Sequence, residues 1–152
     1  MILCFSETIL TEVYDYVLDN FVLLANNINS LCVVKKVIIC SRIPQTRKKI
    51  LDKILESIDQ IIQNAHGNYA IQVAIDAYHG FYTKPIIQTF VNKFYTLSLQ
   101  KYSSNVIEKS LEKGGDEIVS KFIEEVCQKT KVMGKLIFKI LKKIRSYEKF
   151  LR

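Results

Sequence analysis

The feature that most limits the fold of this chain is an internal repeat of about 36 residues. Shifting the sequence by 36 or 37 positions superimposes three copies, and six apolar positions stay apolar in all of them. Repeats of this length are typical of solenoids, in which each unit buries its apolar face only against its neighbours. The matched positions are Val13, Val17, Phe21, Leu24, Val34 and Ile38, then Ile50, Ile54, Ile58, Ile61, Ile71 and Ile75, then Ile86, Phe90, Phe94, Leu97, Ile107 and Leu111.

The apolar spacing within each copy predicts amphipathic helices, because residues at i, i+4, i+8 and i+11 share one helix face. Breaks are few, and those that occur, such as Pro85 and Gly114-Gly115, lie near the boundaries between copies. The predicted fold class is therefore all-α, a curved α-solenoid in one domain. The predicted copies span 8–41, 42–80 and 81–115, followed by a shortened capping copy at 116–152. At the apolar segment 1–5 we expect either further repeats upstream or a covering surface.

The charge of the chain predicts an anionic partner. Its formal net charge is +7, and residues 131–152 carry eight basic residues against one acid, which predicts a basic C-terminal face. Nucleic acid, an anionic membrane surface and an acidic protein all fit this charge. No apolar run is long enough to span a membrane, and the N-terminus lacks the basic flank of a signal peptide. We expect a soluble protein without a membrane partner.

The sequence offers little material for catalysis or metal binding. The cysteines Cys4, Cys32, Cys40 and Cys127 form no CxxC pair and have apolar neighbours, which predicts buried, reduced thiols and no metal site. No Ser/His/Asp set, Gly-rich phosphate loop or paired carboxylates stand out. We expect no enzyme activity, no cofactor and no small-molecule substrate.

Each copy contains one helical segment whose variable residues the apolar stripe does not explain. The segments are 30–35, 67–72 and 103–108, and each opens with a small residue. Variable positions recur at i, i+1 and i+4, which lie close together on one side of a helix. These triplets are Leu31, Cys32 and Lys35, then Asn68, Tyr69 and Gln72, then Ser104, Asn105 and Glu108.

The segments His66–Gln72 and Tyr102–Lys109 resemble the base-reading helices of the PUF (Pumilio-type) family of RNA-binding repeat proteins. The resemblance covers residues 12–111 well and the tail poorly. It implies binding of single-stranded RNA, one base per repeat, in messenger RNA 3′ untranslated regions. It also implies post-transcriptional regulation in the cytoplasm, with protein effectors as further candidate partners.

The triplet chemistry agrees with this resemblance. The amides of Asn68 and Gln72 can match the acceptor, donor and acceptor of uracil, whereas the Glu108 carboxylate, assisted by the Ser104 hydroxyl, can accept the two neighbouring donors of guanine. Tyr69 can stack on a base, and Asn105 occupies the same position with weaker stacking. RNA runs antiparallel to the chain in this family, so the resemblance implies a 5′-GU-3′ core.

The remaining candidates are weaker. Leu31, Cys32 and Lys35 lack the polar pair, so we expect little base discrimination in the first copy and a phosphate contact from Lys35. For His66 and Tyr102 we expect packing or a phosphate contact. The six residues of the second and third triplets should lie on one concave, solvent-reachable surface, with the core positions Val34, Ile71 and Ile107 buried.

Two alternatives remain open at the level of the sequence. The first is a helical-repeat scaffold of the HEAT or armadillo kind that binds an acidic protein. The second is the divergent, largely nucleolar class of PUF-like proteins, which bind nucleic acid with weak sequence preference. The degenerate first copy and the basic tail favour the second alternative, but the intact second and third triplets do not.

Overall fold

The structure is a computed structural model that describes residues 7–129, with side chains described from Thr11 onward. These residues form helices and no strands, so the all-α prediction is confirmed. The segment 1–5, the basic stretch 131–152 and most of the predicted capping copy lie outside the described residues. The helices are α1 (Glu7–Asp19), α2 (Phe21–Ala25), α3 (Leu31–Cys40), α4 (Pro44–Ile61), α5 (Asn68–Ala77), α6 (Thr83–Gln88), α7 (Phe94–Ser98), α8 (Ser103–Lys113) and α9 (Gly115–Lys129).

Proline and glycine set several helix boundaries as their chemistry requires. Pro44 begins α4, where the missing N–H of proline removes no helical hydrogen bond, and Pro85 lies in the first turn of α6. Gly115 joins α8 to α9 with φ of 72°, a left-handed conformation that glycine adopts without steric cost. The breaks predicted near Pro85 and Gly114-Gly115 are therefore present.

The helices stack as an α-solenoid. Helices α3, α5 and α8 contact one another in sequence and form one row, which we call the α3–α5–α8 row. On the other side of the stack, α1 and α2 pack on α4, α4 packs on α6, and α9 packs on α7 and α8. Each copy thus contributes one helix to the row and one or two helices to the other side.

Most of the repeated apolar positions form a continuous core. Ile38, Ile50, Ile71 and Ile75 are fully buried, and Ile107 is 2% exposed. Val13 departs from the prediction, because it is 39% exposed on α1, the first helix of the described stack. None of the described helices is long and apolar enough to cross a membrane.

Ion pairs link neighbouring copies at the surface of the stack. The Lys Nζ to Asp Oδ1 distances are 3.5 Å for Lys49 and Asp15, 3.6 Å for Lys93 and Asp59, and 3.4 Å for Lys109 and Asp76. The Lys49 and Lys93 pairs are exposed, and exposed pairs contribute about 0–1 kcal/mol each. Apolar burial therefore holds the copies together, and the ion pairs favour their register.

The prediction of buried cysteines is wrong for the side chains that the structure describes. Cys32 and Cys127 are exposed and Cys40 is half-buried, and all three are free thiols. Their apolar neighbours in the sequence point to other sides of the same helices, so sequence neighbours were a poor guide to burial. Cys4 lies outside the described residues.

A buried carboxylate joins the third copy to α9. Glu125 on α9 is 8% exposed, and its two carboxylate oxygens accept hydrogen bonds from the backbone N–H groups of Phe94 at 3.2 Å and Tyr95 at 3.1 Å. Those N–H groups begin α7 and have no partner within that helix, so Glu125 satisfies them.

We predict that Glu125→Ala lowers the free energy of unfolding by roughly 1–3 kcal/mol, because two buried N–H groups lose their acceptor. Glu124→Ala is the matched control, since Glu124 is the exposed neighbour on the same helix. Urea denaturation followed by circular dichroism measures both variants. Equal stability of the two variants would contradict the capping role of Glu125.

Candidate nucleic-acid interface

The three triplets lie at equivalent places on the α3–α5–α8 row, within the first turns of each helix. Because neighbouring helices of the row are in contact, the triplets follow one another across the stack. Val34, Ile71 and Ile107 lie within the same helical segments, and each is 0–2% exposed, which confirms their predicted packing role. The accessible members form what we call the triplet strip: Cys32, Tyr69 and Asn105 are exposed, and Lys35, Gln72, Ser104 and Glu108 are half-buried.

The small residue that opens each segment has a structural reason. Ser30 Oγ donates to Leu24 O at 2.9 Å, and Ser103 Oγ donates to Leu97 O at 2.7 Å, so each serine ties its row helix to the preceding short helix. Gly67 holds the equivalent position in the second copy. A Cβ there would lie 2.2 Å from the side-chain oxygen of Asn26, and therefore only glycine fits without rearrangement.

Asn64 organises the turn before α5, a role that the periodicity of the sequence does not predict. Its side-chain oxygen accepts hydrogen bonds from the backbone N–H of His66 at 2.8 Å and of Gly67 at 3.0 Å. Asparagine bonding to the backbone two residues later is a recognised turn pattern, so the sequence Asn64–Gly67 did contain a signal. His66 is half-buried in this turn.

Asn68 departs from the prediction of a solvent-reachable surface, because its residue is only 1% exposed. Its Nδ2 donates to Asn64 O at 2.8 Å and Ala65 O at 3.1 Å, and its Oδ1 accepts from Gln72 Nε2 at 2.8 Å. A short amide side chain on the first residue of a helix reaches the carbonyls of the preceding turn, which draws it inward. The equivalent Leu31 in the first copy is also buried, at 8% exposure, within the core.

The bond to Asn68 fixes the amide of Gln72. One Nε2–H points to Asn68, while the second Nε2–H and Oε1 make no other hydrogen bond within residues 11–129. Gln72 thus offers one donor and one acceptor at the strip, with Tyr69 beside it at 47% exposure. An amide edge next to an exposed ring suits a planar ligand with a hydrogen-bonding edge.

The third copy presents acceptors. Ser104 Oγ donates to Lys101 O at 3.2 Å, so its oxygen can still accept a hydrogen bond, and Glu108 lies one turn further along α8. Lys109 is bound by the acids Glu112, at 2.9 Å, and Asp76. The hydrogen bond to Glu112 is the main cause that raises the pKa of Lys109, so this ammonium stays charged in neutral solution.

Cations lie over two aromatic rings of this region. Lys35 Nζ is 5.9 Å from the ring centroid of Tyr69, so the first copy contacts the second across the strip. Lys101 Nζ is 5.2 Å from the ring centroid of Tyr102, which is half-buried in the turn before α8. Such cation–π contacts contribute about 0.5–1 kcal/mol at exposed sites.

The chain is similar to known repeat proteins along the described stack. A family model, the Pumilio-family RNA binding repeat, matches residues 20–55, 57–88 and 93–127. These three spans cover more than half of the chain. They are offset from the predicted copies, since the first begins at α2 and ends within α4.

Individual relatives agree with this match. A Pumilio domain-containing protein of Schizosaccharomyces pombe is 27% identical over 122 residues, 80% of this chain and 18% of the relative. Pumilio homolog 12 of Arabidopsis thaliana is 26% identical over 113 residues, 74% of this chain and 19% of the relative. The chain therefore spans less than a fifth of the length of these relatives.

Solved structures have the same architecture. PUF-8 in complex with PBE-RNA matches 87% of this chain and 39% of that chain, with a TM-score of 0.73 and 26% identity. A Puf4 RNA binding domain bound to a 3′ UTR recognition sequence matches 74% of this chain and 35% of that chain, with a TM-score of 0.68 and 15% identity, which shows the fold alone.

We predict that Asn68→Ala lowers the free energy of unfolding by roughly 1–3 kcal/mol, because the carbonyls of the preceding turn lose a buried donor. Asn105→Ala is the control, since this asparagine is exposed on the neighbouring row helix and should change stability by less than about 0.5 kcal/mol. Thermal and urea unfolding measure both. If the two variants unfold alike, Asn68 has no structural role.

Proposed function

Because the chain belongs to the PUF (Pumilio) family of RNA-binding repeat proteins, we propose that it binds single-stranded RNA along the triplet strip and recognises 5′-GU-3′. The observation that carries this proposal is the regular placement of one polar triplet on each of two contacting helices, α5 and α8, in which every member except the buried Asn68 is accessible. The proposed biological role is regulation of messenger RNA through 3′ untranslated regions in the cytoplasm. The RNA-bound PUF-8 structure, which has the same architecture and is 26% identical to this chain, supports the RNA partner.

The second copy recognises uracil through Gln72 and Asn68 in this proposal. The donor and acceptor that Gln72 offers match uracil, but they also match the edge of adenine, so Gln72 alone does not choose between them. The second acceptor of uracil, O2, requires another donor. Asn68 supplies it by exchanging its longer bond, the 3.1 Å bond to Ala65 O, for the base.

The third copy recognises guanine through Glu108 and Ser104. The carboxylate accepts from N1–H and N2–H of guanine, and the Ser104 oxygen, whose own proton is donated to Lys101 O, assists as an acceptor at N2–H. Uracil has only one such donor, N3–H, and this donor lies between two acceptors, so uracil forms fewer hydrogen bonds with a carboxylate. Tyr69 stacks on the bases between copies, and aromatic stacking contributes roughly 1–3 kcal/mol per base, whereas Asn105 offers a smaller surface.

We predict that this chain binds a short GU-containing RNA with a Kd of about 1 μM or weaker, because few bases are recognised and the ordering cost of RNA must be offset. Affinity should fall as salt rises, since lysines that contact phosphates release counterions. Fluorescence anisotropy at several salt concentrations tests both points. An acidic peptide is the control ligand, and preferential binding of that peptide would favour the protein scaffold.

We predict that the base preference of the third copy can be exchanged. Ser104→Asn with Glu108→Gln installs the residue pair of the second copy, so the preferred base should change from guanine to uracil while the neighbouring uracil is retained. The expected discrimination is about 1–3 kcal/mol, by analogy with a bidentate base contact. Binding of GU and UU RNAs to both proteins measures it.

The outcome of this exchange also separates the proposed function from the weakly selective, nucleolar alternative. If the original protein and the double variant bind both RNAs but rank them identically, the base assignment is wrong and RNA binding without sequence preference remains. Circular dichroism of the variant confirms that it is folded before the ranking is interpreted.

A further inference from the structure

Lys35 occupies the base-edge position of the first copy. It lies on α3 at the repeat position that Gln72 holds on α5 and Glu108 holds on α8. The side chain is half-buried, unlike that of its exposed neighbour Lys36. A residue that shares the register of two base-recognising side chains is placed to meet the edge of a third base.

The surroundings of Lys35 differ from those of the lysines that form ion pairs between copies. Lys49, Lys93 and Lys109 each pair with an aspartate of the preceding copy. Lys35 forms no ion pair within the part of the chain that the structure describes, and its ammonium lies 5.9 Å from the centroid of the Tyr69 ring. The ammonium of Lys35, on α3, therefore lies beside the ring of Tyr69, on the neighbouring helix α5.

An ammonium supplies donors and no acceptor, and this decides which base edge suits it. On the Watson–Crick edge, cytosine has two adjacent acceptors, N3 and O2. Uracil places its N3–H donor between two acceptors, guanine has one acceptor beside two donors, and adenine has one acceptor beside an amino group. Cytosine is the base that offers an ammonium two acceptors without a donor in the way.

We propose that Lys35 makes the first copy selective for cytosine, so that the strip recognises 5′-GUC-3′. This inference rests on the proposed function, and it replaces the expectation of little discrimination in the first copy. A cytosine stacked on Tyr69 displaces the ammonium from the ring face to the base edge, a short movement for a flexible lysine stem. Leu31 is buried and contributes no polar group, so Lys35 carries the selectivity.

The test uses four RNAs, 5′-AAGUNAA-3′ with N as each of the four bases, and the full chain in fluorescence anisotropy. We expect the cytosine RNA to bind about fivefold tighter or more than each of the others, the lower end of the effect of a good base contact. Lys35→Met should abolish the ranking at N, and Lys35→Arg should retain it. Lys36→Met is the matched control, because it removes the same charge from the adjacent exposed position.

Other outcomes separate failure of this inference from failure of the proposed function. Equal binding of the four RNAs, or preference for another base at N, overturns the cytosine assignment while discrimination at G and U persists. Equal loss of affinity for all four RNAs in Lys35→Met, with a shallower salt dependence, also overturns it and identifies a phosphate contact. Loss of discrimination at G and U as well overturns the proposed function.

Discussion

The burial of each copy against the next is the constraint on which the structure depends. A single copy contains only two or three short helices and cannot cover its own apolar residues, so Ile38, Ile71 and Ile107 become buried only when α3, α5 and α8 lie side by side. The same stacking fixes the positions of the accessible sides of α3, α5 and α8, which carry the triplets. The triplet strip is therefore aligned by the core, and its spacing follows from the repeat length.

Asn68 serves both the fold and the proposed site. Its amide group bonds two carbonyls of the preceding turn, and its oxygen holds Gln72 in one orientation. This bond keeps the Gln72 amide in one orientation, which would reduce the ordering cost of RNA binding in the proposed function. In the proposed RNA complex a uracil must compete with Ala65 O for a donor of Asn68, so base selectivity and the stability of α5 are coupled at this position.

Periodicity predicted the helices, the core and the position of the triplets because these depend on spacing alone. It did not predict the burial of Asn68, since that burial depends on side-chain bonds to a turn whose geometry Asn64 sets. It also failed for Cys32 and Cys127, whose apolar neighbours lie on other sides of the helix. The small residues Ser30, Gly67 and Ser103 form a pattern in the sequence, but their contacts with the preceding helices depend on the three-dimensional packing.

Charge in the triplet strip acts in opposite directions in the first and third copies. In the proposed RNA complex the Glu108 carboxylate repels nearby phosphates, and guanine offsets this repulsion with two donors, so bases that lack this pair of donors are disfavoured. In the proposed complex the Lys35 ammonium donates to the acceptors of cytosine and also attracts nearby phosphates, so only part of its contribution to affinity depends on the base. Both copies should consequently contribute to specificity, and the first copy should also contribute to the dependence of affinity on salt.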